Sequence, residues 1–321
     1  IIFLHSCTKY HTNISLKRIK NHREVSVKFE KKAEKKSVPD LIFCSFPTID
    51  LAYASVLYAK EKKVPVIIDV RDLWPDIFVN PFPDIFKPVI KLGLFKYFRK
   101  TKYIFKNACA ITAVSNEYLQ FGLNYAYRKK TKMDKVFPIG FQTEPNLSKK
   151  INHNDFSYLK INPKKINIWF VGTFGRTYDL STVISVAKML DKTDPNINFI
   201  FTGDGEKMKK WRNESSGLDN IIFTGWVEKK ELKYISEISN IGLMAYVKGA
   251  PQGLPNKIYE YMSSSLPILS SLQSETKELI EKEKIGLTYT PNNPEDLLAK
   301  LKLLVENKDL LSEMSHNSFT I

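Results

Sequence analysis

Apolar runs that end in glycine recur through the second half of the chain, and each is followed by a segment with helical periodicity. Such runs predict buried strands, and apolar residues spaced three and four apart predict helices. The runs and their ends are residues 166–171 before Gly172-Thr173-Phe174-Gly175-Arg176, residues 197–202 before Gly203, and residues 221–224 before Gly225-Trp226-Val227. This alternation predicts an α/β fold with a parallel, doubly wound sheet, whose ligand crevice lies at the carboxyl ends of the strands.

The first glycine loop has the features of an anion site. Its strand leads through Gly172 and Gly175 to a helix predicted over residues 179–190. Free backbone N–H groups converge where a helix begins, and glycine lets a phosphate approach the main chain closely. Arg176 would add a fixed positive charge. A tight strand-to-helix connection is the alternative interpretation, and the dinucleotide-binding G-x-G-x-x-G is absent.

A second candidate site lies in residues 252–262, QGLPNKIYEYM. Pro255 suits the first turn of a helix, and Lys257 and Glu260 then share one helix face with Tyr261. This arrangement offers a phosphate a positive helix end and offers sugar hydroxyls an acceptor, which indicates nucleotide-sugar chemistry. Taken alone, these residues would also suit a surface helix with an ordinary Lys/Glu pair.

In the first half of the chain, residues 64–76 predict a buried strand that leads into a charged loop. Asp69, Arg71 and Asp72 fall at the carboxyl end of this strand, where clustered charges indicate a binding site more often than a structural need. A surface loop with satisfied charges is the alternative. Residues 110–119 predict another strand and a helix, with Ser115 as the N-cap.

The order and spacing of the second-half segments, from Phe170-Val171-Gly172 to residues 253–262, resemble the nucleotide-sugar domain of glycosyltransferase family four. The resemblance implies a retaining enzyme of GT-B architecture, with two Rossmann-like doubly wound domains facing a central cleft. We expect an amino-terminal acceptor-side domain in residues 1–142, a linker in residues 143–165 and a donor-binding domain in residues 166–321. Family members usually begin with another β/α unit that carries a glycine-rich acceptor loop, and no such unit is evident, so we expect the amino-terminal domain to lack at least its first strand.

The resemblance also implies how the donor is held. Arg176, Lys257 and the helix end near Pro255 would neutralise the leaving diphosphate, which is where charge develops. Glu260 would hold the ribose of the nucleotide. The main chain of Trp226 and Val227 would hold the base of the nucleotide. The other expected donor-binding positions are Gly172, Gly175, Gly225, Gln252 and Asn256.

Two positions depart from the family pattern. The usual acidic pair is spaced E-x7-E, but Gln252 stands eight residues before Glu260, and an amide contacts sugar hydroxyls differently from a carboxylate. In the first domain, Arg71 occupies the place where many relatives carry a histidine. We assign Arg71 and Asp72 to the acceptor or the reacting sugar.

Residues 64–76 resemble the subgroup that transfers N-acetylated amino sugars to lipid-linked acceptors during surface polysaccharide assembly. The resemblance implies a UDP-sugar donor, an N-acetylated hexosamine or a deoxy relative, and a polyprenyl-linked or growing-glycan acceptor, with no cofactor. A UDP-N-acetylglucosamine 2-epimerase, which shares GT-B architecture and needs no acceptor, is the alternative enzyme. A nucleic-acid-binding protein is disfavoured because the lysines are dispersed and no nucleic-acid module is recognisable.

Charge adds a possible membrane partner. The 321-residue chain has a formal net charge of +15 and a pI near 9.4, which favours an anionic partner. The excess is concentrated in residues 28–36 and residues 86–106, and in the second region seven basic residues interleave with aliphatic and aromatic ones. This pattern suits a helix in a bilayer interface, and equally a core helix with a solvated basic face.

The remaining chemistry-bearing residue types indicate no metal site. The three cysteines are widely spaced, the histidines form no H-E-x-x-H, and no Asp-x-Asp pair occurs, so we expect metal-independent chemistry. Cys44 and Cys109 lie in apolar stretches and are predicted to be core residues. No uncharged apolar stretch reaches about 18 residues, the length of a membrane span. We expect a cytoplasmic protein, at most peripheral on the inner face of the cytoplasmic membrane.

Overall fold

The computed structural model describes residues 2–9, 16–80, 82–141 and 153–320. Contacts divide the chain into two compact units, Ile1–Pro138 and Ile139–Ile321, and each is built around one parallel sheet. The α/β class predicted from the alternation of strands and helices is confirmed. None of the helices in the described part of the chain has the length and apolar content of a bilayer span.

The first unit has a four-stranded parallel sheet in the order β1-β2-β3-β4. Its elements are α1 Leu16–Ala33, β1 Ile42–Phe46, α2 Ile49–Lys62, β2 Val66–Val70, α3 Lys87–Gly93, α4 Phe95–Lys106, β3 Ala110–Ala113, α5 Asn116–Ala126 and β4 Lys135–Val136. The core joins the strands to α2, α5 and the end of α4, and includes Phe46, Ile68 and Phe105. Ser115 caps α5 as predicted, because its Oγ accepts the Tyr118 N–H at 3.3 Å.

The second unit has a six-stranded parallel sheet in the order β10-β9-β8-β5-β6-β7. Its elements are β5 Ile166–Val171, α6 Leu180–Leu190, β6 Ile197–Thr202, α7 Met208–Glu214, β7 Ile221–Gly225, α8 Lys229–Glu237, β8 Ile241–Met244, α9 Asn256–Ser263, β9 Ile268–Ser270, α10 Glu275–Glu283, β10 Gly286–Thr288, α11 Pro294–Glu306 and α12 Lys308–Thr320. The strand order reverses between β5 and β8. In a doubly wound sheet such a reversal opens a ligand crevice at the carboxyl ends of the two strands.

Helices cover both faces of the second sheet, which explains its continuous apolar strands. Alternate residues of β5 face opposite sides, with Ile168 and Phe170 in one core cluster and Trp169 in the other. Helices α6 and α11 pack in the first cluster, and α8, α9 and α10 in the second. Every residue of β6 is buried, including the polar Asn198 and Thr202, as expected for a strand covered on both faces.

The predicted helix that contains residues 252–262 needs one correction. Helix α9 begins at Asn256, and Pro255 is its N-cap rather than a residue of the first turn. Proline fixes φ at a value that suits either position, and here ψ of 149° makes Pro255 extended. Its carbonyl oxygen still accepts the Ile258 N–H at 3.1 Å, so it closes the first turn from outside.

Residues 86–106 form two helices, α3 and α4, which meet at Leu94. The end of α4 packs on the core, because Thr101, Ile104 and Phe105 are buried there. Helix α3 has no buried residue, so the core-helix alternative does not describe it. A separate correction concerns Cys109, which is exposed although it borders the buried strand β3.

The predicted linker, residues 143–165, lies partly outside the described residues, which resume at residue 153. His153–Leu159 is a short 3-10 helix, and its Phe156 ring stacks on Tyr234 of α8 with 4.7 Å between ring centroids. The end of the predicted linker therefore packs on the second unit. The domain boundaries at residues 142 and 166 stay predictions.

Candidate active site

The candidate site lies in the second unit, where the strand order reverses. The loops that follow β5 and β8 run side by side at the carboxyl ends of these strands. Two main-chain hydrogen bonds join the loops, from the Asp179 N–H to the Ala245 carbonyl oxygen at 3.1 Å and from the Val247 N–H to the Thr177 carbonyl oxygen at 3.0 Å. Residues far apart in the sequence therefore form one edge of the crevice.

Lys257, in the first turn of α9, points into this edge and is only 7% exposed. Its Nζ lies 4.0 Å from the ring centroid of Phe170, 4.3 Å from that of Tyr178 and 5.5 Å from that of Tyr246. We call these three rings the lysine cage. The Nζ has no hydrogen-bond acceptor among the described residues, and the ring faces around it stabilise its positive charge.

Burial lowers the pKa of Lys257 to about 7, although the nearby Glu260 carboxylate opposes the shift. Burial also raises the pKa of Glu260, and Lys257 opposes that shift. A buried cation without an acceptor is energetically costly, and an anion that contacts Nζ would remove the cost by favouring the ammonium form. The arrangement is therefore suited to binding a phosphate group.

Gly172 makes room for the Lys257 side chain. Its φ of +154° is unfavourable for other residues, and a Cβ built on it would lie 3.0 Å from Lys257 Nζ and 3.4 Å from Tyr178 Oη. The Gly172 N–H donates to the Thr202 carbonyl oxygen at 3.0 Å, which fixes the start of the loop against β6. The glycine that follows β5 thus serves the lysine directly, in addition to the predicted access for phosphate.

Tyr261, one turn after Lys257, anchors α9 to the sheet. Its Oη lies 3.0 Å from the carbonyl oxygens of both Trp169 and Leu243, and it accepts the Val171 N–H at 3.2 Å. The ring packs on Gly242 so closely that a Cβ there would approach it to 2.5 Å. Tyr261 is fully buried, so it positions the helix and does not face the crevice.

The main chain of Gln252 and Gly253, before α9, is fixed by hydrogen bonds from Ser274 and Thr276. The Ser274 Oγ contacts the carbonyl oxygens of Gln252 and Gly253 at 2.9 and 3.0 Å, and the Thr276 N–H donates to Gly253 at 3.1 Å. The Gln252 side-chain Oε1 is buried and has no hydrogen-bond partner among the described residues. Asn256 is exposed at the first position of the helix. A fixed main chain with a free amide oxygen is suited to recognising a hydroxyl or amide N–H.

The loop position of Arg176 suggested that it lies near the start of a helix. Helix α6 begins only at Leu180, so Arg176 lies in the loop before it. Its side chain is 86% exposed and forms an ion pair with Glu206, with 3.1 Å between Nε and Oε1. Among the contacts that the structure shows, none joins Arg176 to Lys257. A basic residue that the sequence analysis missed, Lys207, instead braces this loop, and its Nζ donates to the Tyr178 carbonyl oxygen at 2.9 Å.

The remaining predicted donor positions follow β5 and β7. Gly175 forms the turn of the first loop, where its carbonyl oxygen accepts the Tyr178 N–H at 3.3 Å. Gly225 ends β7, and its carbonyl oxygen accepts the Gly203 N–H at 2.8 Å. The Trp226 side chain is 84% exposed, whereas Val227 is buried just before α8. Both residues therefore lie at the carboxyl edge of the sheet, as predicted for that strand end.

The two candidate residues of the first unit follow β2. Arg71 forms an ion pair with Asp69, whose other oxygen accepts the Thr112 hydroxyl at 2.7 Å. The Asp72 carboxylate accepts the Leu73 N–H at 2.8 Å and the Trp74 Nε1–H at 3.2 Å. Burial raises the pKa of Asp72, and both hydrogen bonds oppose the shift. Asp69 thus orients Arg71, and Asp72 is a partly buried carboxyl group.

Cation sites of the usual kind are not found within the described ranges, because no three His, Cys, Asp or Glu side chains come together there.

Comparison with known proteins identifies the family. The model of the family "Glycosyl transferases group 1" matches residues 152–320, which is more than half of the chain. The chain belongs to this family. An uncharacterized glycosyltransferase of Haemophilus influenzae is 27% identical over 138 residues, and the match covers 42% of this chain and 38% of the relative. The sulfoquinovosyl transferase SQD2 of Arabidopsis thaliana is 22% identical over 277 residues, with 84% of this chain and 51% of the relative covered.

The chain therefore spans about half the length, or less, of these curated relatives. The crystal structure of Anabaena HepE in complex with UDP is similar in fold, with a TM-score of 0.69 and 14% identity over 92% of this chain and 76% of HepE. This similarity confirms the predicted GT-B architecture. The family favours a transferase over the epimerase alternative.

Proposed function

We propose that this chain acts as a retaining glycosyltransferase that moves a sugar from a UDP-sugar to a lipid-linked or growing-glycan acceptor in surface polysaccharide synthesis. The donor would be a UDP-N-acetylhexosamine or a deoxy relative. The observation that carries the proposal is the lysine cage, a buried amino group without an acceptor, placed where the strand order of the second sheet reverses. Supporting it, HepE binds UDP in a protein of the same fold.

In the proposed reaction, the leaving diphosphate gains negative charge as the sugar–phosphate bond breaks. Lys257 in its ammonium form would contact that charge, and the N–H groups at the start of α9 would add a positive helix end. Arg176 would reach the diphosphate from the solvent side. Glu260 would accept a hydrogen bond from the ribose, and the main chain near Trp226 would hold the base.

The residues of the first unit would serve the other reactant. Arg71, oriented by Asp69, would contact the acceptor or the reacting sugar, and Asp72 would contact the same group through its carboxyl oxygens. The three positive elements of the second unit would neutralise the diphosphate, so we propose that transfer needs no added metal ion.

The test is mass spectrometry of the products that the full protein forms from a panel of UDP-sugars and a membrane extract, with and without excess EDTA. We expect one N-acetylated sugar to be added to a lipid-linked product in both conditions. Reactions without the extract distinguish the classes of enzyme, because an epimerase would convert its UDP-sugar there. The absence of product from every donor would contradict the proposed transfer. A strict requirement for magnesium or manganese would contradict its metal independence.

A further inference from the structure

The most exposed apolar surface of the first unit lies on α3 and the turn before it. Six large apolar side chains in this short stretch are about half or more exposed: Phe82, Ile85, Phe86, Val89, Leu92 and Phe95. We call them the apolar patch. Exposed apolar residues are ordinary when scattered, but a contiguous group marks an interaction site.

The apolar patch is ordered as a helical stripe that faces outward. Ile85, Val89 and Leu92 are spaced four and three residues apart, so they lie on one side of α3 and the turn before it. Their exposed fractions are 78%, 70% and 76%. Ile90 and Leu94, on the other side, are half-buried against the unit. A helix that only packed on the core would turn its apolar stripe inward, so this stripe is available to a partner.

Positive charge surrounds the apolar patch. Lys91, Lys96 and Arg99 are exposed beside it, and the Arg99 guanidinium lies 5.7 Å from the Phe95 ring centroid. The one acidic residue of residues 82–106 is Asp84, which forms an ion pair with Lys87 at 2.6 Å. Lys100 belongs to the fold instead, because it forms an ion pair with the buried Asp50.

We propose that the apolar patch and its ring of cations dock the protein on the surface of an anionic lipid bilayer. An outward apolar stripe flanked by lysine and arginine is the composition of a helix that lies in the bilayer interface, with apolar side chains among the acyl chains and cations at the phosphates. A second copy of the chain is a poorer partner, because it would bring the same cations face to face. The surface is distinct from the donor site, so the proposal does not depend on the sugar transferred.

Vesicle co-sedimentation of the full protein tests the docking surface. Vesicles of phosphatidylcholine alone are compared with vesicles that contain phosphatidylglycerol, at low and high salt. We expect binding to the anionic vesicles at low salt and at least tenfold weaker binding to the neutral ones. High salt should weaken binding without abolishing it, since screening removes the charge attraction but leaves the apolar insertion.

Two triple variants separate the two parts of the surface. Ile85→Gln/Val89→Gln/Leu92→Gln removes the stripe, and Lys91→Gln/Lys96→Gln/Arg99→Gln removes the cations. Since each cation near an anionic surface contributes about fivefold, we expect each variant to bind at least tenfold more weakly. The charge-matched control is Lys31→Gln/Lys35→Gln/Lys36→Gln, which removes three exposed lysines of the other basic region, on α1 and just after it, and should change binding by less than about twofold.

Three outcomes would overturn the proposal. The wild type could stay in the supernatant with anionic vesicles at low salt. The control could lose as much binding as the other variants, which would indicate unspecific attraction by net charge. Analytical ultracentrifugation could show a wild-type dimer that the stripe variant loses, which would assign the patch to a second copy. UDP binding by every variant is measured alongside by titration. A loss of UDP binding would concern the donor site and not the docking surface.

Discussion

Two lysines that lie beside apolar side chains, Lys257 and Lys91, differ in their access to water. Lys257 is enclosed by the three rings of the lysine cage, whereas Lys91 is exposed next to the apolar stripe of α3. Enclosure depresses a lysine pKa and makes its charge depend on a bound anion. Exposure instead leaves the apolar neighbours of Lys91 free to meet a partner. The same residue types therefore indicate a ligand site in one place and a docking surface in the other.

Removing the enclosed charge should have the largest effect. We expect Lys257→Met to lower kcat/KM for sugar transfer by roughly 10²-fold or more, the scale for losing one charge-stabilising donor. Methionine keeps the length of the side chain and packs well against rings, so the lysine cage should survive. Steady-state kinetics with the preferred UDP-sugar measures the effect.

Arg176→Ala is the comparison for that experiment. Its guanidinium is exposed and already paired with Glu206, so we expect a smaller loss, about tenfold. An equal or larger loss for Arg176 would reverse the assigned importance of the two cations, and unchanged activity in both would reject the diphosphate site.

The second prediction concerns stability, and its sign is opposite to that for activity. We expect Lys257→Met to raise the free energy of unfolding at pH 7 by about 2–4 kcal/mol, because the folded chain no longer has to desolvate an amino group. The pKa of Lys257 is about 7 in the folded chain, against an ordinary value of 10.5. The unfolded chain thus binds more protons between those pH values, so wild-type stability should rise with pH across this window.

Urea denaturation at pH 7 and pH 9 measures this effect. The variant should lack the contribution of Lys257 to the pH dependence. A variant less stable than the wild type at pH 7 would mean that the lysine cage stabilises the ammonium form more than burial opposes it.

The third prediction is a pH dependence of donor binding. Diphosphate favours the ammonium form, so above pH 7 binding must take up a proton at Lys257, and UDP affinity should fall roughly tenfold between pH 7.5 and 8.5. Tyr178 and Tyr246 also face Nζ, but burial raises the pKa of both, so they stay protonated in this range. Glu260 is a further titratable group nearby; burial raises its pKa, and Lys257 opposes that shift.

Calorimetric titration of UDP at several pH values, in buffers with different ionisation enthalpies, reports both the affinity and the proton uptake. Lys257→Met should bind more weakly and show no such slope. Constant wild-type affinity across the range would contradict the coupling between the charge of Lys257 and the ligand.

The smallest effect is expected from the same chemical change on the surface. Lys91→Met should alter the free energy of unfolding by less than about 0.5 kcal/mol and leave UDP affinity unchanged, because Lys91 is exposed and has no partner role in the core. Urea denaturation and UDP titration, run beside Lys257→Met, measure it. A large change in stability would show that α3 depends on Lys91 for its structure.

Much of the second unit could be predicted from the sequence. The bounds of β5 and β6 coincide with continuous apolar runs, because both faces of these strands are covered by helices. Lys257 was predicted as a site residue from its place in a helix start. The lysine cage could not be predicted, since Phe170, Tyr178 and Tyr246 meet only because β5 and β8 are neighbours in the sheet. Local periodicity does not predict the order of strands in a sheet.

The first unit gives the opposite lesson. The interleaving of basic and apolar residues in residues 86–106 leaves an interfacial helix and a core helix as alternatives, because it does not indicate whether protein or solvent covers the apolar side chains. The same limit applies to Cys109, whose apolar neighbours are buried while it is exposed. What a pattern leaves open in such cases is the three-dimensional environment of each residue.

Under the proposed role of Lys257, the contact between Gly242 and Tyr261 makes a residue without any ligand contact a determinant of catalysis. Any side chain at Gly242 would displace the Tyr261 ring, and α9 would shift with it. Lys257 is carried on that helix, so its Nζ would leave the crevice even though no charged or polar group had been altered. Natural variants at this strand position would therefore be inactive for a mechanical reason, and a search for damaging substitutions confined to the crevice would overlook them.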